Sequence, residues 1–262
     1  MNVAVFSSTP DSMIHAEKTI QSIVNQSVEL SIFWHLPTYS KRLKKAYPDP
    51  GAWLSKYPSV QVDRCEDIGP NTKVYPLLET DTLRNAKRVI VFDDDVIYHP
   101  DAVKRLIDAQ TSDKYCTGYR GHTFRYIPFI YSDRGAFNSV SLNRVSVLMG
   151  TGMILFPADV FKNVTKSEFK KYIRKDKLYF INDDHVYAHY AYKSGYPMYI
   201  VSQGKDTMYN AWKDNETALK NSNNPARECE IKMMSRGELA WPVVDTLVIL
   251  FVIFILIILL IR

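Results

Sequence analysis

Short apolar runs alternate with longer segments of helical spacing along most of the chain. The runs are rich in β-branched and aromatic residues and too short for helices, so they predict buried strands. Between the first two runs, apolar residues within 14–24 are spaced as in an amphipathic helix. Strands that alternate with helices predict a largely parallel sheet. The predicted strands cover 2–6, 30–34, 60–65 and 88–92, and the predicted helical segments cover 14–24, 72–84, 102–109 and 182–195.

The last part of the chain has a different pattern. Residues 247–261 are all apolar, and the longer span 243–261 adds Asp245 and Thr246 near one edge. At about 1.5 Å per residue the longer span reaches roughly 28 Å, close to a bilayer core of about 30 Å, so the sequence predicts a single transmembrane helix. Trp241 would lie at the membrane interface, and basic residues before it favour a cytosolic body. We therefore expect a folded domain at 1–212, a polar linker at 213–242 and a membrane anchor at 243–261.

Composition narrows the class of protein. The chain has 262 residues, of which 46% are hydrophobic, so it can bury a full core and is not a disordered protein. The net charge is +5, but 33 basic and 28 acidic residues are interspersed, and no basic tract argues for nucleic-acid binding. Three distant cysteines show neither a disulfide framework nor metal-ligand spacing, which suits a reducing compartment.

Asp93, Asp94 and Asp95 follow directly on the predicted strand 88–92. Three neighbouring carboxylates repel one another unless a cation lies among them. A Mg²⁺ or Mn²⁺ ion held by oxygen ligands would meet that need and would leave coordination positions for phosphates. A solvated acidic turn is the alternative interpretation. The position at the end of a strand and before a helix favours a nucleotide site, because α/β sheets bind nucleotides there.

Several short segments also occur in an order that is known from one group of enzymes. Arg64–Lys73 carries the most specific of them, C-E-D-x-G-P-x-T-K. Together they resemble nucleotide-sugar glycosyltransferases of the GT-A fold, especially a group found in bacteria, algae and large algal viruses. The other matching segments are Ser22–Gln26, Lys56–Val60, Asp93–Asp95, Gly150–Met153 and the pair Asp183-Asp184.

This resemblance implies a fold, a cofactor and a set of donor contacts. The fold would be a Rossmann-like, mostly parallel mixed sheet flanked by helices. Asp95 would ligate Mn²⁺ or Mg²⁺, with Asp93 at the metal or the ribose and Asp94 as a less defined donor contact. Lys73 would place a positive charge near the diphosphate of the nucleotide sugar. The residues that would contact the nucleoside are Ser7, Ser8 and Thr9.

One position departs from the pattern of the group. The group often carries an arginine shortly after the first strand, where this chain has Asp11, Ser12 and Met13. The contact that such an arginine would make is therefore in doubt. Lys73 also has an alternative interpretation as a surface lysine on a helix.

An inverting transfer also needs a base that takes the proton of the acceptor hydroxyl. Asp183 and Asp184 are adjacent, so on a helix only one of them can face the site. By resemblance Asp184 would be the base, and Asp183 would cap the helix or support the site. If both carboxylates only interact favourably with the dipole at the start of the helix, the base is another residue.

The residues are compatible with three functions. The first is a metal-dependent glycosyltransferase that moves a sugar, with a UDP-sugar as the expected donor, to a glycan, lipid or protein acceptor. The second is a nucleotidyltransferase, although Ser7–Met13 lacks the glycine-rich basic loop expected there. The third is a catalytically silent binding adaptor. His185 and His189 have the spacing of a metal pair but no third ligand, so a core or surface position is favoured.

Overall fold

The computed structural model describes residues 1–110, 113–127, 130–135, 143–202, 208–210 and 226–239, together with 250–251, 253–254 and 257–258. Its strands, numbered along the chain, are β1 (Asn2–Phe6), β2 (Ser31–Pro37), β3 (Tyr39–Ser40), β4 (Lys45–Ala46), β5 (Val60–Cys65), β6 (Arg88–Val91), β7 (Val96–Tyr98), β8 (Cys116–Gly118), β9 (Gly121–Ile127), β10 (Ile130–Gly135), β11 (Asn143–Val145), β12 (Val147–Leu148), β13 (Ile154–Pro157), β14 (Met198–Ile200) and β15 (Met208–Asn210). The α-helices are α1 (Ala16–Val24), α2 (Asp81–Asn85), α3 (Ala102–Ala109), α4 (Asp159–Lys162), α5 (Lys166–Ile173), α6 (Lys177–Ile181), α7 (Asp183–Lys193) and α8 (Ala226–Ser235).

A mixed sheet runs through the centre of the described part of the chain. Its strand order is β11-β14-β8-β13-β6-β1-β2-β5. β1 is parallel to both β2 and β6, and β2 is parallel to β5, whereas β13 is antiparallel to β6 and to β8. The four parallel strands are the four that the apolar runs predict. Because parallel strands end at the same edge, the loops after β1, β5 and β6 meet there.

Both faces of the sheet are covered at β1, β2 and β6, which explains why these strands are mostly apolar. Along β1 the side chains alternate: Val3 and Val5 pack on one face, and Ala4 and Phe6 pack on the other. Helices α1 and α3 cover the second face, and α2 with α4 to α8 contribute to the first. A mixed α/β sheet with flanking helices fits the GT-A architecture that the resemblance implied.

The predicted helix at 72–84 is wrong as a single element. The chain forms two short 3₁₀ turns there, at Asn71–Lys73 and Tyr75–Leu77, and then α2. Pro76 lacks the N–H that an α-helix needs, and Glu79 has a positive φ of 61°, so the backbone cannot continue as one helix. Helix α2 begins after Thr80, whose hydroxyl caps it by accepting a hydrogen bond from the Leu83 N–H.

The predicted transmembrane helix at 243–261 is also wrong as far as the structure describes the chain. Among the described residues, no helix is long and apolar enough to cross a membrane. An apolar run satisfies the hydropathy requirement for a span, but composition does not show that its residues form one continuous helix. The other positions of that run, and residues 213–225 of the predicted linker, lie outside the described residues.

Residues 226–239 fall within the segment predicted as a linker, but they pack on the core. Helix α8 contacts α6, and apolar side chains of α8 and the turn after it belong to the core cluster that also includes residues of α5 and α7. Glu238 accepts hydrogen bonds from the hydroxyls of Tyr172 (3.0 Å) and Tyr179 (2.6 Å). Its carbonyl lies 2.9 Å from Nδ1 of His189. Among the side chains of this segment that the structure describes, those buried are Cys229, Met233, Met234 and Leu239.

We expect Glu238→Gln to destabilise the fold by roughly 1–3 kcal/mol at neutral pH, the usual range for hydrogen bonds to a charged group. Burial alone would raise the pKa of Glu238, but the Tyr179 and Tyr172 hydroxyls and Lys175 outweigh it and lower the pKa. The stabilisation is therefore present above the pKa of an unfolded glutamate, about 4.3, and is lost as pH falls through the folded value. Urea unfolding near pH 7 and pH 3 measures it.

The matched control for this substitution is Glu29→Gln, the same chemical change at an exposed position. It should leave the free energy of unfolding within about 0.5 kcal/mol of the unsubstituted protein. Equal stability of Glu238→Gln and Glu29→Gln near pH 7 would show that the C-terminal segment does not hold the domain together through this carboxylate.

Candidate functional site

A cavity of about 520 Å³ lies where the parallel strands end. The segments that line it include the loop after β1, the segment after β5, the acidic turn after β6, and the start of α7. Every side chain that the sequence predicted for donor, metal or base contacts lines it. These side chains are Ser7, Ser8, Thr9, Lys73, Asp93, Asp94, Asp95, Asp183 and Asp184. Their convergence is a finding of the structure, and their individual roles remain predictions.

Lys73 is the central cation of this site. Its side chain is 10% exposed, and its ammonium contacts Asp93 and lies 3.1 Å from a carboxylate oxygen of Asp183. Burial alone would lower the pKa of Lys73, but the charges of Asp183 and Asp93 raise it well above its usual value. Lys73 is therefore a buried permanent cation, and the alternative interpretation as a surface lysine is wrong.

The three acidic residues after β6 have different surroundings. Asp94 is held by the loop after β1, because its carboxylate accepts a hydrogen bond from the hydroxyl of Ser12. The backbone carbonyl of Asp94 accepts another from Thr19, at 3.0 Å. Burial raises the pKa of Asp95 to about 7, and the charges of Asp93 and Asp94 add to that effect. The negative charges of Asp95 and its two neighbours are therefore not fully balanced by nearby positive charge.

Asp183 and Asp184 begin α7 and point to different partners. Asp183 pairs with Lys73, whereas Oδ1 of Asp184 accepts a hydrogen bond from the Gly150 N–H at 2.7 Å. Burial raises the pKa of Asp184 well above its usual value, and the charge of Asp183 raises it further. A Cβ at position 150 would lie 3.0 Å from Oδ1 of Asp184, so the glycine permits this close approach.

The fold is similar to that of S. aureus TarS. One TarS structure matches with a TM-score of 0.50 and 13% identity, over 80% of this chain and 36% of that one. A structure of TarS 1–349 matches with a TM-score of 0.48 and 13% identity, over 80% of this chain and 60% of that one. No family model matches, and no curated protein matches in sequence.

The likeness to TarS concerns the fold alone. It does not extend to the algal and viral group that the sequence motifs resemble. The chain spans less than two thirds of each TarS chain that it matches.

The carboxylates of the cavity are oxygen donors, the type of ligand that a hard divalent cation takes. Among the residues described, no group of three or more His, Cys, Asp or Glu side chains is placed to hold a metal ion. Mg²⁺ does not require one, because it is often bound by one or two carboxylates together with substrate phosphates and water. Asp95 offers a carboxylate whose pKa is raised first by burial and then by the charges of Asp93 and Asp94. Asp93 has one oxygen engaged by Lys73.

Several lining residues were not predicted as site residues from the sequence. Asp67 accepts hydrogen bonds from the backbone N–H groups of Lys41 (2.6 Å) and Gly69 (2.8 Å), and so shapes the loop before Lys73. It lies inside the C-E-D-x-G-P-x-T-K segment, so that motif was a signal for it. Nothing local to the sequence indicated the others, because distant segments bring them in. These others include Ser12, Arg42, Tyr47, Arg120 and His122.

The two histidines of α7 lie in different surroundings. His185 is buried and lines the cavity. His189 stacks on Tyr172 with ring centroids 4.2 Å apart and bonds to the Glu238 carbonyl. His189 is therefore part of the packing between α7, α5 and the C-terminal segment, as the core interpretation predicted.

Proposed function

We propose that this chain is a glycosyltransferase that moves a sugar from a nucleoside diphosphate to a hydroxyl of a glycan, lipid or protein acceptor. The observation that carries the proposal is the bridge from Lys73 to Asp93 and Asp183, inside the one cavity that also holds Asp95 and Asp184. It brings the donor-side carboxylates and the candidate base together around a buried cation. The GT-A type of fold supports the same function.

The donor would bind at the end of β1 and β6. Ser7, Ser8 and Thr9 would contact the nucleoside, for which a UDP group is the expected form. Ser8 is oriented by the Trp34 ring N–H, which donates to its hydroxyl at 3.0 Å. Asp95, with Asp93, would hold Mn²⁺ or Mg²⁺, which when bound neutralises charge on the departing diphosphate.

The acceptor would react on the side of α7. In an inverting transfer the carboxylate of Asp184 takes the proton of the acceptor hydroxyl, whose oxygen bonds to the anomeric carbon as the bond to the diphosphate breaks. The nucleoside diphosphate leaves with the electron pair of that bond. Lys73 holds its positive charge beside the site throughout, which favours the developing negative charge. Gly150 keeps the carboxylate of Asp184 in place through its N–H.

The proposal is tested with the full chain and a panel of UDP-sugars, with candidate acceptors, in Mn²⁺ or in EDTA. We expect release of UDP that EDTA abolishes and that Asp95→Asn lowers roughly hundredfold or more, as for loss of an electrostatic contact to developing charge. The matched control is Asp49→Asn, at a side chain that is 98% exposed, and it should retain full activity.

The products of this assay separate the other functions. Cleavage between the phosphates, with release of a sugar phosphate, would indicate a nucleotidyltransferase. Binding of UDP-sugars without turnover, for every acceptor tried, would indicate an adaptor. Turnover that is equal in Mn²⁺ and EDTA would contradict the metal-dependent mechanism.

A further inference from the structure

His35 is a buried histidine that the proposed reaction does not use. It lies in β2, its side chain is 1% exposed, and each ring nitrogen faces an acceptor. Nδ1 is 2.8 Å from the backbone carbonyl oxygen of Lys73. Nε2 is 3.5 Å from a carboxylate oxygen of Asp63, which stands opposite His35 in the β2–β5 register. The ring thus joins the central sheet to the segment that carries Lys73.

The contact with Lys73 determines the role of one ring nitrogen. A carbonyl oxygen only accepts, so Nδ1 of His35 must donate to Lys73. The carboxylate of Asp63 lies on the Nε2 side of the ring. The hydrogen bond to His35 holds the pKa of Asp63 below its usual value in spite of burial, which agrees with an ionised partner. Two such contacts hold the ring in one orientation.

Both the backbone and the side-chain ammonium of Lys73 are therefore held by other residues. Its ammonium lies between Asp93 and Asp183, and its carbonyl is bound by His35. The turn Asn71–Lys73 is a single 3₁₀ turn, so it has little helix of its own to fix the backbone. A lysine side chain is a flexible stem of four carbons, and the place of its ammonium depends on where its backbone is held.

We infer that His35, oriented by Asp63, is a positioning residue for the Lys73 ammonium. The inference rests on the proposed function, in which that ammonium acts beside the donor diphosphate. His35 itself does not line the cavity. Loss of its Nδ1–H frees the carbonyl of Lys73 and lets the turn shift, so donor affinity falls although no residue that contacts the donor has changed.

The test uses the full chain and measures the Kd for UDP in Mn²⁺ by calorimetry, with the Tm of each variant. The amide nitrogen of His35→Asn reaches the place of Nδ1, whereas that of His35→Gln reaches the place of Nε2. We expect His35→Gln to weaken UDP binding about tenfold, the equivalent of one hydrogen bond, and His35→Asn to stay within about threefold of the unsubstituted protein. A side chain that only fills space would not distinguish the two amides in this order.

A second variant keeps the test decisive if changes at a buried position unfold the protein. Asp63 is 49% exposed, so Asp63→Asn should fold, and we expect it to weaken UDP binding about threefold through a less firmly held ring. Binding by Asp63→Asn equal to that of the unsubstituted protein, or an equal effect of His35→Asn and His35→Gln, would overturn the inference alone. No binding of UDP by the unsubstituted protein would overturn the proposed UDP-sugar function and this inference with it.

Discussion

Asp184→Asn should abolish sugar transfer while it leaves the fold and the donor site intact. Loss of a general base costs about 10²–10⁴-fold in rate, so kcat should fall by that factor. An asparagine carbonyl can still accept the hydrogen bond from Gly150, so the start of α7 should keep its geometry. Steady-state kinetics with the best UDP-sugar, together with the Kd for UDP, separates the loss of turnover from a loss of binding.

The raised pKa of Asp184 gives this prediction its physical basis. Burial and the charge of Asp183 both make its carboxylate hold a proton more tightly than a solvated aspartate does. A carboxylate with a raised pKa is a stronger base. Asp183→Asn is the matched comparison, since the same change next to it should mainly disturb Lys73. If Asp184→Asn keeps its kcat, the base is another residue of the cavity.

Lys73→Met should destabilise the protein and weaken donor binding together. The substitution leaves the carboxylates of Asp93 and Asp183 partly buried without their cation. Removal of one partner of a buried ion pair typically costs about 3–5 kcal/mol. Urea unfolding should show this loss, and calorimetry with UDP in Mn²⁺ should show a higher Kd.

Two further variants identify the cause of that loss. Lys104→Met removes an exposed lysine that pairs with Asp108, and it should leave the stability close to that of the unsubstituted protein. The double variant Lys73→Met with Asp183→Asn should recover part of the stability, because one of the uncompensated charges is gone. A Lys73→Met protein as stable as the unsubstituted one would show that the ammonium is not the cation that holds these acids together.

The parallel half of the sheet could be predicted from the sequence with useful accuracy. The run 2–6 is almost fully buried, so it contains little besides apolar residues, and its bounds match β1. The bounds predicted for 60–65 match β5, although this edge strand exposes Gln61, Asp63 and Arg64. The helix at 72–84 could not be predicted correctly, because the backbone at Pro76 and Glu79 outweighs the apolar spacing. The apolar run near the C-terminus predicted a membrane helix that is not found among the described residues.

Residues 226–239 show that amino-acid composition does not predict which segments pack on the core. They belong to the stretch predicted as a linker, which is polar and rich in asparagine around 222–225. Only the fold shows that Cys229, Met233 and Met234 face the core and that Glu238 meets two tyrosines from α5 and α6. A few buried side chains hold a segment in place, and their number is too small to change its overall polarity.

The sequence by itself determined the alternation of strands and helices and the positions of Asp93–Asp95 and Asp183-Asp184, because strand periodicity and runs of charge are local properties. Only the tertiary structure decided that Lys73 is buried between Asp93 and Asp183, since these residues come from three separate parts of the chain. It likewise decided that His35 supports the Lys73 backbone. Contacts between distant segments depend on how the sheet orders its strands, and that order is set by packing across the whole domain, which no local pattern records.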